Sequence, residues 1–281
     1  MRRILLLLAL GVATGLAAGT ASAQTLERLK AGEPLRIGIR VDALPFSYIQ
    51  DEKPGGFTVQ LCRAVAGEIG QEAGLDRLKV QYVTVDTTER FQAVADGRID
   101  LLCGASTVTL KRRKLVDFSI PFFIDGASVL VRADGPEGFA DLAGKRIGVR
   151  RSTSTADRLA VTLSEVGIDA QIVPVDVHGE GFSRLENGDI DAYFADRAIL
   201  QFLLLERGMP MAFQLSDQYF SYEPYGLALP RGDSDFRLAV DSALSRIYRS
   251  GAIDEIFNST FGNAQRSELL NALYVISALP E

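Results

Sequence analysis

The chain is poor in the residues from which metal, redox and hydrolytic centres are built. Its 281 residues include a single histidine, His178, and two cysteines, Cys62 and Cys103. Neither cysteine has a CxxC partner or an adjacent histidine. No metal-ligand spacing, phosphate-binding glycine loop or Ser-His-Asp order is present either, so neither a metal nor a cofactor is expected. An excess of positive charge is also missing. Lysine and arginine total 30 against 36 aspartates and glutamates, a net charge of −6, which disfavours a nucleic acid or an anionic membrane held by bulk electrostatics. Beyond the N-terminus no apolar stretch approaches the length that crosses a bilayer, so direct membrane insertion is not expected.

What is present begins with Met1-Arg2-Arg3, an apolar run from Ile4 to about Ala18, and Ala21-Ser22-Ala23 before Gln24. This is the three-part pattern of a secretory signal peptide over residues 1–23. No cysteine sits at the cleavage point to take a lipid, so the remainder is expected to be soluble and exported. With 47% hydrophobic residues it can bury the core of one large or two moderate domains. In an oxidising compartment Cys62 and Cys103 are expected to be bridged, which the chain-entropy model values at about 4 kcal/mol at best; two buried free thiols are the alternative.

From Leu35 onward short apolar runs alternate with amphipathic ones. Strands are expected at Leu35–Arg40, Lys79–Val85, Asp100–Gly104, Ala127–Arg132, Arg146–Arg150, Gln171–Val175, Ala192–Asp196 and Tyr225–Leu229. Helices are expected at Val59–Ile69, Glu89–Ala95, Thr155–Val166, Gly181–Glu186, Arg197–Glu206, Asp233–Ser250 and Ile253–Phe261, with a last amphipathic helix in the tail. Buried strands separated by such helices define an α/β class with mostly parallel sheets. Two segments echo each other, ERFQAVADGRIDLLCGAS (Glu89–Ser106) and EGFSRLENGDIDAYFADR (Glu180–Arg197). Each runs helix, glycine turn, Ile-Asp and strand, which points to two similar lobes, each delivering the carboxyl end of a strand to a cleft.

Four stretches carry a family resemblance: RIGIRVDALPFSY, GASTVTLKRRKLVDFSIPFF, LAGKRIGVRRSTSTADRL and YGLALPRGDSDFRLAVDSALSRIYRSGAIDEIFNSTFG. The run from Leu35 to Gly262 resembles a type II periplasmic solute-binding protein of the polar amino-acid class, the extracytoplasmic receptor of an ABC importer. DVHGEGFSRLENGDIDAYFAD, with QLC and LCGAST, is most similar to the glutamate/aspartate-binding branch. The resemblance implies two α/β lobes joined by crossing hinge strands around Phe122–Ala127 and Phe220–Tyr225. Lobe 1 would span 24–124 and 225–265, lobe 2 125–224, and a tail 266–281. Ligand would be held between the lobes as they hinge shut. The implied partners are a small amino acid and a membrane permease with its ATPase; the implied state is a periplasmic monomer without catalytic activity.

A free amino acid brings a carboxylate and an ammonium, and burying both requires an answer to each charge. By resemblance Arg112 clamps the carboxylate through its planar fork, assisted by Thr107, while Lys111, Arg113 and Lys114 stay solvated. Thr153 and Ser154 would bind the carboxylate at a helix start with free N–H groups; the plainer alternative is that Ser152, Ser154 or Thr155 simply caps the helix. Asp196 would accept from the ammonium, or cap the helix that follows. Arg40, Arg90 and His178 match the positions that reach a distal carboxylate, with Thr87 as a further donor. Each has a plainer alternative: Arg40 could pair with Asp42, Arg90 sits at a helix start, and a lone histidine is as often an interlobe residue. Counting Arg112, Arg40 and Arg90 against Asp196, an acidic ligand leaves less uncompensated charge than its amide. Ala105 stands where the family often has a serine near the ligand, and Ala43 where many members place an aromatic lid. The remaining alternatives are another polar amino acid or small dicarboxylate, a chemosensory receptor subunit, and a cyclohexadienyl dehydratase, for which Asp157 falls in a helix rather than in the cleft.

Overall fold

A computed structural model describes residues 25–280; the expected signal peptide, 1–23, lies outside the described residues. Two five-stranded sheets organise the chain. In the first, β1 (Leu35–Ile39) lies between β5 (Val80–Thr84) and β6 (Leu101–Cys103) and runs parallel to both. Beyond β6, β15 (Ala228–Leu229) pairs antiparallel with β6 and with β7 (Asp117–Phe118). In the second, β10 (Arg146–Arg150) lies parallel between β11 (Gln171–Val175) and β12 (Ala192–Asp196), and β9 (Ala127–Arg132) joins antiparallel to β12 and β13 (Phe213–Leu215). The α/β class and the two sheet-and-helix lobes are those expected, with each sheet parallel across its first three strands and antiparallel beyond. The reversal has a simple cause in the second sheet. Only Gly126 separates β9 from the crossing strand β8 (Phe123–Asp125), so β9 leads away from the crossing while β10 and β12 run back toward it.

The crossing itself is a two-stranded antiparallel ribbon, β8 against β14 (Glu223–Tyr225), in register Phe123↔Tyr225. A Cβ on Gly126 would stand 2.0 Å from the Ser221 carbonyl oxygen, so the two crossing segments approach as closely as backbone allows. The expected strand Tyr225–Leu229 is therefore two: Tyr225 ends the ribbon, and the chain turns at Gly226 before Ala228 joins the first sheet. A meander of β2 (Asp42–Ala43), β3 (Ser47–Gln50) and β4 (Lys53–Gly55) escapes period-2 reading because its strands are two to four residues long.

The internal echo is real in three dimensions. Gly38 in β1 and Gly148 in β10 leave room for Ile99 and Ile190; an added Cβ would lie 2.3 and 2.4 Å from their Cδ1 atoms. In the first lobe Asp100 accepts from the Arg36 backbone N–H at 2.8 Å and from its guanidinium, and in the second Asp191 holds Arg146 in the same way at 2.8 Å.

Helices cover both sheets. α2 (Phe57–Glu72) packs on the first through buried Val59, Leu61, Val65 and Ile69, each contributing about 1.5–3 kcal/mol by leaving water. It is longer at both ends than its apolar periodicity. Cys62 on α2 is bonded to Cys103 at the end of β6, with Cα atoms 6.4 Å apart, so the expected bridge ties helix to sheet. Also in the first lobe are α1 (Thr25–Lys30), α3 (Arg90–Ala95), α7 (Ser234–Arg249) and α8 (Ala252–Phe261). The second holds α4 (Ser154–Val166), α5 (His178–Glu186) and α6 (Arg197–Arg207). The tail helix, α9 (Glu268–Ser277), is capped by Ser267 and buries Leu270, Leu273 and Tyr274. Among the described residues no helix is long and apolar enough to cross a membrane.

Candidate ligand-binding cleft

The parallel strands of both sheets end at the same place, and all but β5 bring a lining residue there. Arg40 follows β1, Ala105 and Thr107 follow β6, Arg150 ends β10, Asp196 ends β12, and His178 opens α5 just after β11. With Arg90, Arg112, Thr153, Ser154, Thr155, Phe194, Ala195 and Ile199 they line a small cavity between the lobes. Nine expected site residues meet here: Arg40, Arg90, Ala105, Thr107, Arg112, Thr153, Ser154, His178 and Asp196. Thr87 does not. It lines the adjoining groove, its hydroxyl finds no partner among the described residues, and its backbone carbonyl accepts from Arg90. Ala43 is buried away from the cavity.

Among the described residues four guanidiniums share the cavity, and their partners differ. Arg40 and Arg150, 2% and 3% exposed, both donate to Asp42. Arg90, equally buried, donates to the carbonyls of Thr87 and, at 3.4 Å, Ser152. Arg112 is half-buried and donates to the Thr107 carbonyl at 2.7 Å. Arg90 and Arg112 also lie over the Phe91 ring, at 4.5 and 4.8 Å from its centroid. Lys111, Arg113 and Lys114 are exposed. Burial, then repulsion by Arg40, Arg112 and Arg150, pushes the Arg90 pKa well below the usual guanidinium value; burial and Arg40 bring Arg150 down to about 10. Guanidiniums stay protonated in proteins, so both are taken as charged at neutral pH. The Nε–H groups of Arg40, Arg90 and Arg150 find no acceptor among the described residues.

The acids are arranged as acceptors for hydroxyls. Asp196 takes Thr155 Oγ1 at 2.6 Å and the Tyr225 hydroxyl, and burial followed by the charge of Glu223 raises its pKa to about 6. Glu223 takes Ser154 Oγ at 2.7 Å, Ser221 Oγ at 2.8 Å and Thr107 Oγ1. Asp125, buried beside Asp196, is pushed well above the carboxylate range by burial and by that neighbour. His178 Nδ1 is 2.8 Å from the Tyr193 hydroxyl. Burial, Arg40 and Arg150 hold its pKa well below 6.5, so the ring is neutral. At the start of α4 Thr153 caps the helix, accepting from the Ala156 N–H at 3.0 Å, while Ser154 reaches Thr107 of the other lobe at 2.8 Å. Capping and cleft-lining therefore coexist.

Arg150, Thr155, Phe194, Ala195 and Ile199 line the cleft without having been expected as site members, and Asp42, which pairs with Arg40 and Arg150, was not expected either. A signal for the first was present: β1 and β10 carry the near-identical pentapeptides RIGIR (Arg36–Arg40) and RIGVR (Arg146–Arg150). If Arg40 reaches the cleft, the repeat places Arg150 there as well.

Two lobes with strand ends facing a charged, hydroxyl-rich cavity, joined by a two-stranded crossing, define a hinged small-molecule binding protein. Residues 35–263 match the bacterial extracellular solute-binding proteins, family 3, and the chain belongs to that family. It is 30% identical over 240 residues to the L-glutamate/L-aspartate-binding protein of Pseudomonas aeruginosa, covering 84% of this chain and 80% of that one. To the glutamate/aspartate import solute-binding protein of Salmonella typhimurium it is 26% identical over 277 residues, 96% and 92% of the two chains. The crystal structure of the ancestral amino acid-binding protein AncCDT-1, a precursor of cyclohexadienyl dehydratase, superposes with a TM-score of 0.74 at 26% identity, over 85% of this chain and all of that one.

Proposed function

We propose that the protein is the periplasmic binding component of an amino-acid ABC importer and takes an acidic amino acid, glutamate or aspartate, in the interlobe cleft. The observation that carries this reading is the charge of the cavity. Arg40, Arg90, Arg112 and Arg150 bring four positive charges to the lining; Asp196 in the lining, with Asp42 and Glu223 bonded to lining residues, brings three negative ones. Asp125 is not counted: it neither lines the cavity nor pairs with a residue that does, and burial with the charge of Asp196 disfavours its ionised form. A ligand with net charge −1 closes the balance, whereas an amide leaves a buried cation uncompensated. Three buried Nε–H groups without acceptors point the same way, since each unsatisfied donor costs about 1–3 kcal/mol that an anionic guest recovers.

In this reading Arg112, with Thr107, Thr153 and Ser154, binds the α-carboxylate; Asp196 accepts from the ammonium; and Arg40 and Arg90, beside neutral His178, face the distal carboxylate. The 24–124 and 225–265 segments form one body and 125–224 the other, closing by bending of the β8–β14 ribbon. Residues 1–23 direct export, and the loaded monomer passes its ligand to a permease. No catalytic step is assigned. Asp196 and Glu223 are engaged by hydroxyl donors, and Asp157 lines the neighbouring groove rather than the cavity. Calorimetry on ligand-free protein tests the reading, with Glu and Asp expected to bind at least tenfold tighter than Gln and Asn, the equivalent of about 1.4 kcal/mol. Equal affinities for acids and amides refute it.

A further inference from the structure

The Asp42 carboxylate stands where the lobes meet and draws donors from both. Its Oδ1 accepts from Arg40 Nη2 of its own lobe at 3.3 Å. Its Oδ2 accepts from Arg150 Nη1 and, at 3.4 Å, from the His178 backbone N–H at the start of α5, both in the other lobe. Arg40 and Arg150 end the repeated pentapeptides of β1 and β10, so the internal repeat brings one guanidinium from each lobe to a single carboxylate. One anion shared by two cations leaves a positive charge over. Both guanidiniums line the cavity and both keep an Nε–H without an acceptor, so that excess has groups with which to act on a guest.

We propose that Asp42 and Arg150 form a specificity-determining ion pair of the cleft. Arg150 is a further cation for the distal carboxylate of the ligand. Asp42 is a positioning residue that holds Arg40 and Arg150 in place and sets, by its own negative charge, how strongly that end of the cleft favours an acid. The proposal rests on the acidic-ligand reading and deepens it. The two residues act on selectivity in opposite directions: Arg150 attracts a distal carboxylate, and Asp42, a like charge beside it, opposes it. The pair also spans the lobes, so breaking it makes closure harder. That cost falls on every ligand alike and cancels in the ratio of affinities for Glu and Gln, which has the same size and no distal charge.

Calorimetry of Glu and Gln binding to the ligand-free full chain therefore separates a specificity role from a latch. Arg150→Gln is expected to lower the Glu-to-Gln affinity ratio about tenfold, the effect of one charge-assisted contact, and Arg150→Lys to keep most of the preference. Asp42→Asn is expected to raise the ratio while weakening both ligands by a common factor. Melting curves identify any variant that is not folded, and Arg150→Lys remains as the least disruptive probe. A ratio within about threefold of the parent in Arg150→Gln or in Asp42→Asn, when the parent prefers Glu, overturns the pair's role and leaves the acidic-ligand reading standing. A parent that does not distinguish Glu from Gln overturns that reading and the pair with it.

Discussion

Replacing Arg90 by glutamine isolates one charge of the cleft. Arg90 is 2% exposed, has no direct carboxylate partner in its hydrogen bonds to Thr87 and Ser152, and keeps an Nε–H without an acceptor. Glutamine retains a donor for a carbonyl but removes the charge. With three guanidiniums left against three carboxylates, a glutamate guest no longer meets a compensating cation, whereas a glutamine guest loses little. A hydrogen bond to a charged group contributes about 1.5–3 kcal/mol, so Arg90→Gln should weaken Glu roughly ten- to hundredfold. Gln affinity should change by less than about threefold. The assay is titration calorimetry on refolded, ligand-free protein with the parent in parallel, and an unfolding midpoint close to the parent's shows that the cleft is still built. If Glu and Gln weaken by the same factor, Arg90 supports the lobes rather than reading the ligand's charge, and the assignment of a distal carboxylate to this end of the cleft is wrong.

Other expected outcomes follow the same reasoning. Arg112→Gln should abolish measurable binding of Glu, Asp, Gln and Asn alike, because it removes the cation assigned to the α-carboxylate that all four share; retained binding of any of them in calorimetry contradicts the assignment. Asp196 titrates near 6 in the protein alone, raised by burial and Glu223, and only its carboxylate form answers an ammonium. Ligand affinity should therefore be constant above that pH and fall on acidification through it, by about tenfold per pH unit well below the pKa; an affinity flat from neutral pH down to 5 removes Asp196 from the ammonium site. Replacing Cys62 and Cys103 together by serine should lower stability by about 2–4 kcal/mol in denaturant melts while leaving the Glu-to-Gln ratio unchanged, since the bridge joins α2 to β6 in the core of the first lobe.

The architecture was largely legible because it repeats. Helix, glycine turn, Ile-Asp and strand occur twice, and both copies fold alike, down to Ile99 and Ile190 filling the space over Gly38 and Gly148. Strand ends in parallel sheets point one way, so residues read at those ends, Arg40 and Asp196 among them, converge without any long-range information. Other features depend on contacts that no local pattern encodes. The two-residue β2 carries no periodicity, yet it places Asp42 against Arg150, 108 positions away. The break between Tyr225 and Ala228 follows from which sheet each strand joins, and a continuous apolar run conceals it. Thr87 lies outside the cavity lining but shares the adjoining groove with Arg90, which lines both.

The central claim is that guanidiniums from both lobes converge on one guest through its two carboxylates. A crystal structure of the protein grown with L-glutamate measures this directly. The account predicts the α-carboxylate within hydrogen-bonding distance of Arg112, the ammonium on Asp196, and the side-chain carboxylate on Arg40 and Arg90. Density for glutamate outside the cleft, or inside it with those arginines turned to solvent, contradicts the account.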